Sequence, residues 1–381
     1  MAAACGLAVA NLYYAQPILH LLARSFGVGV GGVTLVVTVT QVGYAIGLFV
    51  MLPLGDLFEA RRLTPLMLLV TALGLAAAAL ATSVAWFMVA SLVVGVTCVV
   101  AQILVPFAAH LAPEESRGRV VGRVMSGLLL GILLARTVSS LAAAALGWRA
   151  IFWISSAMMV LLAGALWVLL PGREPDHKSG YVSLMTSVVG IARDLPRLRV
   201  RAICQALVFV AFSGYWTSIA YELIGQHGYT QADVGLFALV GATGAAVAPF
   251  AGRLADHGHG RWFGGLALAT GLVAMASAGF GDGSIVLLGL GGVLLDVCVT
   301  GHQIVSQREI YGLRPDARAR ITTVFMGTVF VFGALGSALA GVLYRSNGWG
   351  AVIAMCAVSI GLSFLIWGVT TLRARGEATV S

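Results

Sequence analysis

Twelve apolar runs, each long enough to cross a lipid bilayer, follow one another along the 381 residues of this chain, at about 2–23, 33–54, 63–82, 85–108, 121–145, 148–170, 202–223, 233–252, 262–280, 284–305, 320–343 and 348–371. A membrane helix needs about 20 mostly apolar residues. Inside hydrocarbon every backbone N–H and C=O must be bonded within the protein, so a run of this kind becomes a helix. The sequence therefore predicts an all-α membrane protein of twelve transmembrane helices. Charge is correspondingly scarce, at 10 % of residues against 59 % hydrophobic, with a mean hydropathy of +0.96. A soluble chain carries about 25 % charged residues, and a water-facing surface of this size could not be covered with so few.

The net charge of +8 comes from 22 arginines and Lys178, set in short clusters between the apolar runs. No basic, aromatic-interleaved surface is there to follow a phosphate backbone, so nucleic acid is not an expected partner. The clusters read instead as topology signals, because cytoplasmic loops are enriched in Lys and Arg. With the N-terminus in the cytoplasm, nineteen basic residues fall on the cytoplasmic side, three (Arg24, Arg149, Arg345) fall outside, and Arg136 lies within a span. Both termini are then cytoplasmic, and the expected location is the plasma membrane, multi-pass. The start lacks a basic region and a small-residue cleavage site, so it reads as the first span and not as a removable signal. That run begins almost at Met1, leaving room for a native start upstream. Cys5, Cys98, Cys204, Cys298 and Cys356 are scattered singly without metal-ligand spacing and read as packing residues.

The chain also repeats itself at a spacing of 200 to 201 residues. Asp56 and Arg61 recur as Asp256 and Arg261, Glu115-Ser-Arg117-Gly-Arg119 as Asp316-Ala-Arg318-Ala-Arg320, Gln102 as Gln303, and Gly147-Trp148 as Gly348-Trp349. Six spans on either side of the polar stretch 171–201 give halves of equal orientation. Parallel repeats of this kind predict two pseudo-symmetric six-helix bundles, 1–170 and 202–381, joined by the cytoplasmic loop 171–201, with a substrate path between them.

The segment Leu52-Pro-Leu-Gly-Asp56-Leu-Phe-Glu59-Ala-Arg61-Arg62 resembles the signature loop of the major facilitator superfamily, and its second copy, Gly252-Arg-Leu-Ala-Asp256-His-Gly-His-Gly-Arg261, is closer still to the usual pattern. Asn11-Leu-Tyr-Tyr-Ala-Gln-Pro17 is similar to a subgroup of bacterial efflux-type permeases. Span five carries Gly127, Gly131, Ala135, Arg136, Ser139 and Ser140 where drug:proton antiporters carry a Gly-rich motif, with Ala-Arg in place of Gly-Pro. Span four lacks the membrane Arg of those antiporters and has Gln102 nearby. The resemblance implies the superfamily's fold, with spans one, four, seven and ten around a central cavity.

Polar residues within the spans mark candidate sites, since a charge at mid-bilayer costs at least ~2.5–3.5 kcal/mol. Asp296 lies about 16 Å into span ten and Arg136 about 15 Å from the outer end of span five, at 1.5 Å per residue. Opposite charges at one depth predict an ion pair or gate between the halves, with Asp296 carrying the proton. A buried structural pair would satisfy the same counts. Asp296, Thr300, Gln303 and Gln307 share one helical face, and Tyr13, Gln16, His20 and Arg24 form another. Asn11, Tyr14, Gln16, Gln41, Gln102, Trp216 and Gln303 are the expected cavity liners, each of which could equally serve as an interhelical hydrogen bond worth about 0.6–2 kcal/mol. Asp56, Arg61, Arg62, Asp256 and Arg261 are expected to form cytoplasmic gate pairs, weak enough at about 0–1 kcal/mol to open.

No Gly-x-x-x-x-Gly-Lys loop is present, so no nucleotide is expected as energy source, and neither a cofactor nor a metal is called for. Expected partners are a small-molecule substrate, protons and the bilayer, with the protein working as a monomer. The expected function is proton-coupled export, as an antiporter, of a small amphipathic or hydrophobic compound. Uptake of a polar nutrient or organic anion, with Arg136 binding a carboxylate, is the alternative. A receptor or intramembrane enzyme finds no Ser/His/Asp arrangement or metal cluster to support it.

Overall fold

The computed structural model describes residues 1–113, 116–172, 180–241, 260–314 and 317–380. Among them every regular element is helical: α1 (Ala2–Ala10) and α2 (Leu19–Phe26) on either side of a 3-10 turn at Gln16–Ile18, then α3 (Val30–Val50), α4 (Leu54–Leu57), α5 (Ala60–Ala79), α6 (Val84–Thr97), α7 (Val100–Leu111), α8 (Arg117–Leu146) and α9 (Arg149–Leu169). There follow α10 (Tyr181–Asp194), α11 (Pro196–Gly225), α12 (Gln231–Ala238) with a 3-10 turn at Leu239–Gly241, α13 (Gly260–Gly279), α14 (Ile285–Leu313) and α15 (Arg318–Val380). Nine helices among the described residues are long and apolar enough to cross a membrane.

The expected spans map onto these helices with four differences, the first being that span four is divided into α6 and α7 at Cys98–Val99. Spans eleven and twelve run together as α15, separated by a non-helical Gly348 at φ 72°. Span eight is described as far as Gly241. Span one is not continuous. Pro17 has no N–H to give to the helix, and the Asn11 amide donates to the carbonyls of Leu7 (3.0 Å) and Ala8 (3.1 Å), capping α1 from within. Residues between Ala10 and Leu19 therefore form turns and a 3-10 segment, which frees backbone carbonyls deep in the protein.

The stretch expected as a central loop contains α10. Leu184, Val188 and Ile191, spaced i, i+4, i+7, are its buried face. At 14 residues it is too short to span, so a search for spanning runs passes over it.

Within the first half α1 packs on α8, α3 on α6, and α5 on α6 and α9; within the second, α11 packs on α14 and α15, and α13 on both. The approach of α1 to α8 depends on glycine. A Cβ at Gly6, Gly127 or Gly131 would strike the backbone of the facing helix, the close contact that small residues allow between membrane helices. The outward surface is apolar, with Leu73, Leu161, Val168 and Trp262 exposed, as a lipid-facing surface requires.

The halves meet along two seams. On one, α3 lies against the first part of α15: the Thr38 and Ser337 hydroxyls are 2.9 Å apart, and the Tyr44 and Phe330 rings pack at 4.3 Å between centroids. Gln41 reaches from the same helix to α11, where its amide nitrogen donates to Ser213 Oγ at 2.9 Å. On the other seam α8 meets α12, with Gly235 seated on Ser140.

Candidate functional site at the junction of the halves

Arg136 sits on α8, 4 % exposed, and both halves hold it. From the first half, Gln16 Oε1 accepts from its Nε at 2.9 Å and the Tyr13 ring lies 5.0 Å from its Cζ. From the second half, α11 contributes the rings of Phe212 at 5.1 Å and Trp216 at 4.4 Å. The unwound stretch of span one places Tyr13 and Gln16 here. A guanidinium is planar and weakly hydrated, so aromatic faces can replace part of its water shell. Its Nη2 has no hydrogen-bond partner.

Asp296 lies on α14, 6 % exposed. Its Oδ1 accepts from Trp216 Nε1 at 3.1 Å, and a Cβ added at Gly241 would come within 2.6 Å of its Oδ2. The expected ion pair is therefore not a direct one. Arg136 and Asp296 form no salt bridge; the pairs of that kind among the described residues include Arg62–Glu59 and Arg201–Glu309. Instead Trp216 contacts both charged groups, with its ring face toward the cation and its ring N–H toward the carboxylate.

The remaining expected liners divide. Gln16 and Trp216 belong to this cluster. Asn11, besides capping α1, accepts from Ser155 Oγ at 2.6 Å and contacts Met159, which ties span one to α9. The Tyr14 carbonyl accepts from Ser139 Oγ at 2.6 Å. Gln41 bridges the halves through Ser213, Gln102 donates to the Tyr44 hydroxyl at 3.2 Å, and Gln303 contacts Met326 Sδ. Of the gate residues, Arg61 donates to the Trp167 carbonyl at 3.1 Å and Arg62 pairs within its own turn with Glu59 at 3.2 Å. Asp256 and the side chains of Asp56 and Arg261 lie outside the described residues.

The sequence placed Tyr13 on the polar face of span one, whereas Phe212 and Gln231 of the junction were not singled out. Phe212 and Tyr13 cap the guanidinium, and Gln231, at the start of α12, donates to the Pro17 carbonyl at 3.0 Å. Tyr13 carries a signal, sharing a helical face with Gln16; Gln231, in a polar connection, carries none. A small crevice beside Arg136 is lined by Pro17, Trp216, Ile219, Val234, Phe237 and Ala238. The junction thus sets aromatic rings around one buried cation, with one carboxylate beside them.

The family model described as Major Facilitator Superfamily matches the chain at residues 1–201 and again at 201–380. An uncharacterized transporter of Escherichia coli O157:H7, YgaY, is 42 % identical over 371 residues, covering 96 % of this chain and 93 % of that protein. The uncharacterized MFS-type transporter YwfA of Bacillus subtilis is 26 % identical over 377 residues, covering 92 % and 86 %. Among solved structures, the human organic anion transporter MFSD10 (TETRAN) superposes with a TM-score of 0.70 at 19 % identity, covering 96 % of this chain and 98 % of that one. A bacterial homolog of the human lysosomal transporter Spinster, in an inward-facing and occupied conformation, gives 0.71 at 16 % identity, covering 97 % and 93 %. With its helical membrane architecture, its doubled family match and relatives that are transporters, the chain belongs to the major facilitator superfamily and is a multi-pass membrane transporter, not an enzyme.

Proposed function

We propose that this transporter exports a small amphipathic or hydrophobic compound by alternating access, as a monomeric antiporter, with Asp296 taking and releasing the coupling proton and Arg136 as its electrostatic partner. The bundles 1–170 and 202–381 rock about the junction, with loop 171–201 and both termini in the cytoplasm. One observation supports this reading above the others: a buried cation from one half is held by aromatic rings of the other, and the same Trp216 that faces it donates to the carboxylate of Asp296. Opening of the halves at this junction lengthens the distance between the charges. A carboxylate whose counter-charge recedes in a low-dielectric interior is driven to take a proton, which is what coupling requires.

Inverted membrane vesicles energised to an acidic interior, carrying a pH-quenched dye, test this reading with a panel of amphipathic cations, neutral compounds and carboxylates. Antiport predicts dequenching when a transported compound is added, and loss of that response in Asp296→Asn. An unchanged response in Asp296→Asn would remove Asp296 from the mechanism and direct attention to Glu222 or His302.

The unpartnered Nη2 of Arg136 favours a second reading, uptake of an organic anion whose carboxylate binds there. In that case only carboxylates move protons, and the proton travels in the direction of the anion.

A further inference from the structure

The break in span one exposes two backbone carbonyls, and neither is left to water. Tyr14 O takes a hydrogen bond from Ser139 of α8, in the same half. Pro17 O takes one from Gln231 Nε2, and Gln231 belongs to the other half. Gln231 is held in turn by Ser140: the Ser140 hydroxyl donates to the Gln231 carbonyl at 2.7 Å and also meets the Gln231 amide nitrogen. The start of α12 is capped, with Thr230 and Asp233 forming a capping box around it. One turn later Gly235 lets α12 sit directly on Ser140, where an added Cβ would lie 2.9 Å from the serine Cβ. Gln16, the residue immediately before Pro17, is the one that holds Arg136 Nε, and its own amide nitrogen has no partner.

We propose that Gln231 is the clasp that closes the face opposite the arginine-rich loops, and that its release is passed through the unwound 14–17 segment to Gln16, loosening the hold on Arg136. Gln231 and Ser140 are then gating residues, and Gln16 a positioning residue for the buried cation. Three half-buried hydrogen bonds across a seam suit this task. They are strong enough to bias the closed state and weak enough to be broken in each cycle. The segment that carries the movement is held by 3-10-type bonds, Gln16 N–H to Tyr13 O and Ile18 N–H to Ala15 O, in place of an α-helical ladder, and Pro17 has no N–H with which to complete one. Movement of α12 away from α8 therefore pulls first on Pro17, one residue from the side chain that orients Arg136.

This proposal rests on the alternating-access reading, but its test uses neither substrate nor proton gradient, so the two can fail separately. In a background with the five native cysteines replaced, Ala238→Cys places a thiol on the crevice beside Arg136. Its rate of reaction with an impermeant maleimide is measured from each face, in intact cells and in inverted vesicles. Gln231→Leu is expected to raise the rate roughly tenfold from the face opposite the arginine-rich loops, the equilibrium effect of about two net hydrogen bonds. Ser140→Ala, which removes both of the bonds Ser140 makes to Gln231, should raise it by a similar factor on the same basis. Gln16→Leu combined with Gln231→Leu should fall short of the product of the single effects by more than about twofold, since coupled sites are not additive. Unchanged labelling in both Gln231→Leu and Ser140→Ala, or a rise confined to the arginine-rich face, overturns the clasp. Simple multiplication of the Gln16 and Gln231 effects overturns the transmission.

Discussion

Trp216→Phe separates two things that Trp216 does at once. It keeps a ring over the Arg136 guanidinium, now 4.4 Å from Cζ, and removes the N–H that reaches Asp296 Oδ1 at 3.1 Å. Trp216 is 2 % and Asp296 6 % exposed, so water does not readily replace the lost donor. A hydrogen bond to a charged group contributes about 1.5–3 kcal/mol in soluble proteins. Interhelical bonds in a membrane protein average about 0.6 and reach about 1.7 kcal/mol, because the unfolded chain in the membrane also finds partners. A buried carboxylate belongs at the upper end of that range, so the expected coupling is about 1–1.7 kcal/mol. The assay is a double-mutant cycle of Trp216→Phe and Asp296→Leu, read by SDS-driven unfolding in mixed micelles. Trp216→Phe should be costly with Asp296 present and nearly neutral with Leu at 296. A coupling energy within about 0.3 kcal/mol of zero, at the scatter of independent sites, would refute the view that the indole links the two charges.

Other outcomes follow from the fold. Cysteines introduced in loop 171–201 should be protected from an impermeant thiol reagent in intact cells, and a cysteine at Gly283 should be labelled; labelling of the loop from outside would reverse the orientation. Gly131→Val, which forces a branched side chain into the Gly6 backbone, should lower the amount of folded protein at least severalfold by the overpacking cost of about 1–3 kcal/mol, whereas Gly164→Val, with open space around it, should not. Equal abundance of the two variants would show that α1 and α8 do not depend on that contact.

What the sequence determined by itself follows from local, additive chemistry. Each run of about 20 apolar residues must satisfy its backbone internally, so the helical membrane class is readable without any tertiary contact. The recurrence of Asp56 and Arg61 at Asp256 and Arg261 shows the doubling in the same direct way. Asp296 and Arg136 could be picked out, and put at one depth, because charge in hydrocarbon is costly and the rise of a helix is constant. Tertiary structure alone decided what lies between them. A hydropathy pattern gives a helix its depth but not its rotation about its own axis or its distance from a neighbour, and those come from packing. The two charges that depth alone would have joined therefore form no direct pair, and Trp216 contacts each of them. The break in span one needs both Pro17 and the Asn11 amide turned back on α1, and its freed carbonyls matter only because Ser139 and Gln231 arrive from other helices to bond them. Gln231 is a polar residue in a polar connection, silent in the sequence until the fold brings it to the Pro17 carbonyl, 214 positions away along the chain.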